Sequence, residues 1–453
     1  MMSADQPSPP LNRSNLWRTR LLWLALAISF LLSVFAAFRA GYVGPDYDVH
    51  IARLTNWPKI FDFSTTSPPT YFLLGHGLFT LIGRHNGFPI ALSIMQAAIN
   101  TLALWWFFLY AERRFESPAI YLAMVLFLAF LPVRIIHATT LGTDCTTIPL
   151  FVLLLFSLDK FLSEKGSTLK NAAYLGLALT AAIGSKYSFM ALLPAIFLIL
   201  IALWRKRAWG FKRFVMICAI VLVVPSAFSL STFWLSSRVH GYNTEKHWLP
   251  RGMSPDMNYK DLFLVKTNDA QLFKAPEYFK KTILAAHRHS YLGLVHLGIF
   301  TDTMNLFQDL TVPQRINSIL IPDQKARRGW KTPVMVASMS LGILWTLCAL
   351  IGTPWALFRA TRNLWNASLQ REDIAILLGT AFFLLMFLTI PFVHGGAIFG
   401  YWTPRLILPS LLCFSLAAFL FLDRKVARGS RGVALVVLVL VAAQCAIETI
   451  MLA

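Results

Sequence analysis

Apolar runs close to 20 residues long recur from one end of this 453-residue chain to the other, and they constrain its fold more than any other feature. In hydrocarbon every backbone N–H and C=O must be satisfied within the protein, and about 20 apolar residues in a helix span about 30 Å. A membrane barrel would instead show alternating segments of about ten residues, a pattern this sequence lacks. Composition agrees: 57% of residues are hydrophobic and only 14% charged, against roughly 25% charged in soluble domains. The mean hydropathy is +0.60. The expected fold class is an all-α polytopic membrane protein with about 11 transmembrane helices.

The first span is read as residues 21–40, too long for the apolar core of a cleaved signal peptide. Ten more are expected at 89–110, 118–137, 146–159, 171–186, 188–204, 214–234, 333–357, 374–391, 405–422 and 433–451. Charge orients them. Arg13, Arg18 and Arg20 precede the first span, and further clusters fall in alternate loops: Arg113 and Arg114; Lys160, Lys165 and Lys170; Arg205, Lys206, Arg207, Lys212 and Arg213; Arg359, Arg362 and Arg371; Arg424, Lys425, Arg428 and Arg431. Cytoplasmic loops carry such an excess, so one topology accommodates every short loop. The net charge of +20 therefore points to anionic membrane lipids and lipid phosphates as partners, and not to nucleic acid. Cys145, Cys218, Cys348, Cys413 and Cys445 lie in or beside apolar segments with no CxxC pair, as packing residues do.

Three regions interrupt the rhythm, all on the extracytoplasmic side of this topology. They are the 41–88 loop, a loop of about 100 residues before Lys331, and PFVHGGAIFGYWTPR at 391–405. The domain organisation expected is a cytoplasmic tail at 1–20, a transmembrane module at 21–234 that includes the outer loop 41–88, an extracytoplasmic loop region at 235–332, and C-terminal transmembrane helices at 333–453. Within the long loop, KKTILAAHRHSYLGLVHLGIF (280–300) is half apolar and is expected to lie on the membrane surface. TYFLLGHGLFTLIG, after Ser67-Pro68-Pro69, is a helix too short to span. No fixed-period repeat is visible.

Ionisable residues gather at the outer ends of the spans. Asp46 and Asp48 follow the first helix in a Gly-Pro context, where partial desolvation can raise a carboxylate's pKa and make it a general base. Outer loops need polar residues in any case, and Asp favours turns. Arg405 enters the tenth span from the outside against the charge bias; its guanidinium can grip a phosphate through two parallel hydrogen bonds or simply reach for headgroups. His394 is close to it in sequence. Asp144 in LGTDCTT and Lys186 in IGSKYSF sit at outer span ends, with Arg134 and His137 approaching the same face. Singly these read as membrane anchors; together they bring acids and bases to one face. Walker A, Rossmann and HExxH patterns are absent.

The order of these motifs resembles the GT-C superfamily of membrane glycosyltransferases, which includes the protein O-mannosyltransferases and the lipid A aminoarabinose transferases. The resemblance is carried by PDYDVHIARL after the first helix, the SPPTYFLL helix start, FPIALSIMQAAINTLALWWFFLYAERRF as second span, GTDCTTIPLFVLLLFSL, the Lys186 segment, and PRLILPSLL near the C-terminus. Two positions depart from the family pattern: Tyr47 stands where many relatives carry Glu, and Leu406 where a Tyr would follow the arginine. The resemblance implies a GT-C-type seven-helix core with a large extracytoplasmic loop. It also implies transfer of a hexosyl or pentosyl unit, with inversion, from a polyprenyl-phosphate-linked sugar to a lipid, glycan or protein hydroxyl, and an integral location in a bacterial inner membrane with the active site extracytoplasmic.

In that frame Asp46 is the expected base, with Asp48 orienting it or joining it as ligand to a divalent metal cation, since Asp-x-Asp supplies hard oxygen ligands; no other cofactor is implied. Arg405 and Lys186, with Arg53 and Lys59, are the expected donor-phosphate ligands, and His50, Asp144 and His394 the expected substrate contacts. The rival is a transporter or flippase of a lipid-linked or anionic substrate. It would place its ionisable residues at mid-membrane, whereas these lie at span ends.

Overall fold

The structure is a computed structural model that describes residues 13–40, 47–60, 68–83, 87–163, 168–239, 291–300, 314–316, 319–321, 331–366, 368–394 and 407–452. The described residues are overwhelmingly helical. From the N-terminus they form α1 (Arg13–Ala40), the short helices α2 (Tyr47–Thr55), α3 (Trp57–Ile60) and α4 (Thr70–Ile82), then α5 (Phe88–Glu112), α6 (Pro118–Phe130), α7 (Pro132–Thr139) and α8 (Thr147–Leu162). There follow α9 (Leu169–Ser185), α10 (Leu193–Arg207), α11 (Phe211–Cys218), α12 (Val224–Val239) and α13 (Tyr291–Phe300). The last four are α14 (Lys331–Trp365), α15 (Arg371–His394), α16 (Leu408–Phe421) and α17 (Arg431–Leu452). A two-stranded antiparallel ribbon, β1 (Gln314–Ile316) with β2 (Ile319–Ile321), pairs Arg315 with Leu320.

Among the described residues seven helices are long and apolar enough to cross a membrane, or eight if α6 and α7, bent by 46° at Leu131, count as one span. The remaining expected spans, 171–186, 374–391 and 405–422, coincide with α9, α15 and α16. Prolines set several helix starts. Pro118 and Pro132 occupy first turns, where the missing N–H costs nothing, and the Ser117 hydroxyl accepts from the Ile120 amide.

The α6–α7 break leaves carbonyls in the apolar interior, and Arg134 with Ser29 repairs it. The buried Arg134 guanidinium donates to the Ala129 carbonyl and to the Ser29 hydroxyl, and Ser29 donates to the same carbonyl. Arg134 thus belongs to the break and does not join an outer cluster of acids and bases.

The opposite ends of α5, α8, α14 and α16 meet the start of α15 in a carboxylate clamp. Arg371 grips Asp159 through two contacts of 2.9 and 3.0 Å. Glu372, 4% exposed, is surrounded by Arg114 at 2.9 Å, Arg359 at 3.3 Å and Arg424 at 3.5 Å. Asp373, fully buried, accepts from Asn363 and from the Gln370 amide. Acidic residues in a first helical turn also complement the helix dipole.

The 280–300 stretch departs from expectation. Residues 280–290 lie outside the described residues, but α13 does not lie on a surface: it packs on α14, burying Val295, His296 and Phe300. The His296 ring bridges the Thr346 hydroxyl and the Met339 carbonyl at 2.9 Å each. Its apolar flanks could be read from the sequence; the histidine's partners, 43 and 50 residues away, could not. The five cysteines are all free and at least partly buried.

Close helix approaches depend on glycine, as is usual where membrane helices touch. A Cβ on Gly176 of α9 would stand 2.5 Å from the Ile220 carbonyl, in a π-helical turn before α12, and one on Gly352 of α14 would stand 2.9 Å from the Ala417 carbonyl of α16. Gly432 has open space. Gly176→Val and Gly352→Val are each expected to cost about 1–3 kcal/mol, read as a lower unfolding midpoint in detergent, with Gly432→Ala neutral or slightly stabilising.

Candidate functional site

At one end of the bundle the short helices α2, α3 and α4 pack over the turn that joins α7 to α8. Leu54 of α2 seats over Gly75 of α4, where a Cβ would come within 2.3 Å of the leucine side chain. His76 bonds the Leu54 carbonyl at 2.7 Å. Phe72 is the platform between the two helices. The His50 ring stacks on it at 5.4 Å, and the Arg53 guanidinium lies 3.8 Å from its centroid. His50 and Arg53, three residues apart, project from one face of α2. Arg53 also donates to the carbonyls of Lys59 and Ile60, at 3.3 and 2.8 Å, and so ties α3 to α2.

The 140–146 turn reaches α2 through Gly142, whose absent Cβ would stand 3.3 Å from the His50 ring. Tyr71 holds this turn. Its hydroxyl oxygen accepts from the Gln96 side chain at 2.8 Å and from the Gly142 amide at 3.1 Å. Burial pushes the Tyr71 phenol well above its ordinary range, so it stays a neutral, fixed partner. Asn100 donates to the Cys145 and Gln96 carbonyls, and Ser93 to the Thr139 carbonyl. Polar side chains of α5 therefore satisfy backbone groups of this turn and of the end of α7.

This turn carries Asp144, and Asp144 is paired with Lys186, whose ammonium donates to the carboxylate. Lys186 sits where α9 ends in extended backbone before a 3-10 segment, Tyr187–Leu192. The two side chains are 17% and 12% exposed, a shielded pair at the rim. Gly184 brings the end of α9 against the start of α4, since a Cβ there would meet the Thr70 hydroxyl at 2.4 Å. The start of α4 and the end of α9 thus come together, although 114 residues separate Thr70 from Gly184 in the chain.

Of the residues singled out in the sequence, the structure unites His50, Arg53, Asp144 and Lys186 about α2 and α4. Lys59 is exposed on α3 and contributes its backbone carbonyl to Arg53. Asp48 lies in the first turn of α2 and His394 is the last residue of α15; Asp46 and Arg405 lie outside the described residues. Among the described residues no group of three or more His, Cys, Asp or Glu converges as a metal cluster. Sequence reasoning did not single out Tyr71, Phe72, Gln96 and Asn100. Gln96 and Asn100, polar and four apart in an otherwise apolar span, were the available signal.

Residues 66–240 match the family model described as dolichyl-phosphate-mannose-protein mannosyltransferase. The matched segment contains α4, the Tyr71-held turn, Asp144 and Lys186. Over this stretch the GT-C resemblance is borne out. Several solved structures are similar at low identity. The S. cerevisiae protein O-mannosyltransferase Pmt1–Pmt2 complex bound to the sugar donor is 14% identical, with a TM-score of 0.36 over 55% of this chain and 36% of its own. The oligosaccharyltransferase AglB from Archaeoglobus fulgidus, in complex with an inhibitory peptide and a dolichol-phosphate, is 12% identical, with a TM-score of 0.48 over 97% of this chain and 55% of its own. ArnT from Cupriavidus metallidurans bound to undecaprenyl phosphate is 16% identical, with a TM-score of 0.39 over 90% and 78%. The chain therefore spans about a third to a half of the first two proteins' lengths. No curated protein sequence matches it.

The shielded ion pair gives a stability test. Asp144→Asn or Lys186→Gln alone strands a partly buried charge and is expected to cost on the order of 1–3 kcal/mol. The double variant should cost less than the sum, and a double-mutant cycle on thermal unfolding measures the difference. Tyr71→Phe, which leaves the Gln96 and Gly142 donors without their acceptor, should be destabilising by a similar amount.

Proposed function

We propose that the protein is a glycosyltransferase that moves a sugar from a polyisoprenyl-phosphate donor to an acceptor hydroxyl at the extracytoplasmic membrane face, with inversion. The observation that carries this reading is the seating of α2, whose first turn holds Asp48 of the Asp-x-Asp motif, against the turn bearing Asp144, which pairs with Lys186 at the end of α9. All but α2 and α3 of that arrangement falls in the segment that matches the mannosyltransferase family model. The same match weighs against the transporter reading.

In this scheme the acceptor oxygen attacks the anomeric carbon and forms the new C–O bond. The bond from that carbon to the phosphate oxygen breaks, and the acceptor proton passes to Asp46. A positioned carboxylate base contributes about 10²–10⁴-fold. Asp48 orients Asp46 or shares a divalent cation with it. The departing lipid phosphate carries the electron pair, and the cations Lys186, Arg405, Arg53 and Lys59 stabilise its charge. His50, Asp144 and His394 contact the substrate. Asp144 has a further part here: it holds the Lys186 ammonium in place while that group retains donor capacity for the phosphate.

The isoprenyl tail needs apolar cover. A cavity of about 270 Å³ lies among α6, α13, α14, α15 and α16, lined by Phe127, Val295, Trp345, Phe383, Leu411 and Phe419. It is the site proposed for the chain of the donor.

The test is sugar transfer in membranes from polyprenyl-phosphate-linked hexoses and pentoses, comparing wild type with Asp46→Asn, Asp48→Asn, Lys186→Gln and Arg405→Ala at matched expression. Loss of about 10²-fold or more in one aspartate variant identifies the base. Transfer undiminished in all four variants overturns the proposed site, and donor-independent substrate movement in wild type would favour transport.

A further inference from the structure

The far end of the bundle holds a basic corner that the transfer chemistry does not use. It is built where α10 ends at Arg207, α11 begins at Phe211 and α14 ends at Trp365. Each belongs to a candidate membrane span, so their termini lie at headgroup depth. The corner is rigid. Ala208 takes a left-handed conformation (φ 46°) that ends α10. The Trp204 indole donates to the Trp209 carbonyl at 2.8 Å, and its ring stacks on Phe214 at 4.6 Å and 18°. Arg207 turns inward and donates to the Leu162 and Ser163 carbonyls at the end of α8.

With Arg207 committed, Arg205, Lys206, Lys212 and Arg213 remain exposed on the outside of the corner. Arg205 lies over the Trp365 ring at 5.4 Å, and Arg213 over the Trp209 ring at 5.5 Å. Among the described residues Arg205, Lys206 and Lys212 pair with no carboxylate, in contrast to the arginines of the nearby clamp, which surround Asp159, Glu372 and Asp373. Beside these cations, Phe211 is 69% and Trp365 75% exposed. Val215 and Met216 continue the apolar surface along α11. Exposed aromatics level with cations at span ends are the pattern of a membrane interface, and uncompensated Lys and Arg there attract anionic lipid.

We propose that this corner is a binding site for the phosphate headgroup of an anionic membrane phospholipid, held by Arg205, Lys206 and Lys212, with its acyl chains along Phe211, Val215 and Trp365. The fixed Trp204–Trp209–Phe214 arrangement places the cations before the lipid arrives. The bound lipid would anchor the α10–α11 corner at one depth, at the opposite end of the span from Lys186.

The experiment is native mass spectrometry of the full chain released from detergent micelles doped with phosphatidylglycerol or phosphatidylcholine. It is paired with thermal unfolding in the same lipids. Wild type is expected to retain phosphatidylglycerol preferentially and to unfold at higher temperature with it. The triple variant Arg205→Gln, Lys206→Gln, Lys212→Gln should lose that retention on the order of tenfold while keeping its unfolding midpoint in pure detergent. Arg205→Lys, which keeps the charge, should retain the lipid, and raised salt should weaken retention in wild type. Equal retention of phosphatidylcholine, or undiminished phosphatidylglycerol in a folded triple variant, overturns the proposal. Stabilisation by inorganic phosphate equal to that by the lipid would also overturn it, in favour of a soluble anion. If the triple variant does not fold, the lipid preference and salt dependence of wild type decide the matter.

Discussion

A backbone polar group stranded in hydrocarbon costs several kcal/mol, and the architecture of this protein follows from where its helices must break despite that cost. At two breaks on the α2–α4 side, side chains supply hydrogen bonds to the exposed backbone. Arg134 and Ser29 serve the Ala129 carbonyl at the α6–α7 bend. Tyr71 and Asn100 serve the turn before α8. Such breaks are tolerated only where protein covers them, and here the cover is made by the short helices α2 and α4 together with polar residues of α5.

The candidate site is a product of those repairs. Asp144 sits on a turn that exists because α7 and α8 do not join, and Lys186 on the extended residue between α9 and its 3-10 continuation. Each would be out of reach in a continuous helix. Once paired they are largely shielded from water, which strengthens the attraction between them. At the other end the carboxylates of α15 draw arginines from α5, α14 and α16 into one cluster. The two ends therefore treat charge differently: the clamp neutralises its arginines internally, whereas the α10–α11 corner leaves cations outward.

The comparison of expectation with structure turns on range of contact. The helix start at Pro118, the short helix after Ser67-Pro68-Pro69, and the break at Lys186 were legible because proline, capping residues and apolar run length act within a few residues, whereas the bend before Pro132 interrupts what the sequence read as one span over 118–137. Lys186 and Asp144 stood out as charges in apolar surroundings. Their pairing was not legible, since 42 residues separate them. Arg134 looked like one more outer cation, and only the bend at Leu131 shows why it is buried. The helix at 291–300 was misplaced on the surface because its apolar faces and histidine say nothing about α14, the partner that covers them.

The sequence by itself determined that this chain is a helical membrane protein and where most of its long apolar helices run. Those properties depend on hydropathy summed over about 20 residues and on local backbone stereochemistry. It also determined the charge pattern of the loops and the order of the acidic and basic motifs. Tertiary structure alone decided which of those groups meet. It set His50 and Arg53 on Phe72, Asp144 on Lys186, and Glu372 among three arginines, because side-chain pairing depends on how helices pack in space, and residues far apart in the chain become neighbours only once each helix has buried its apolar face.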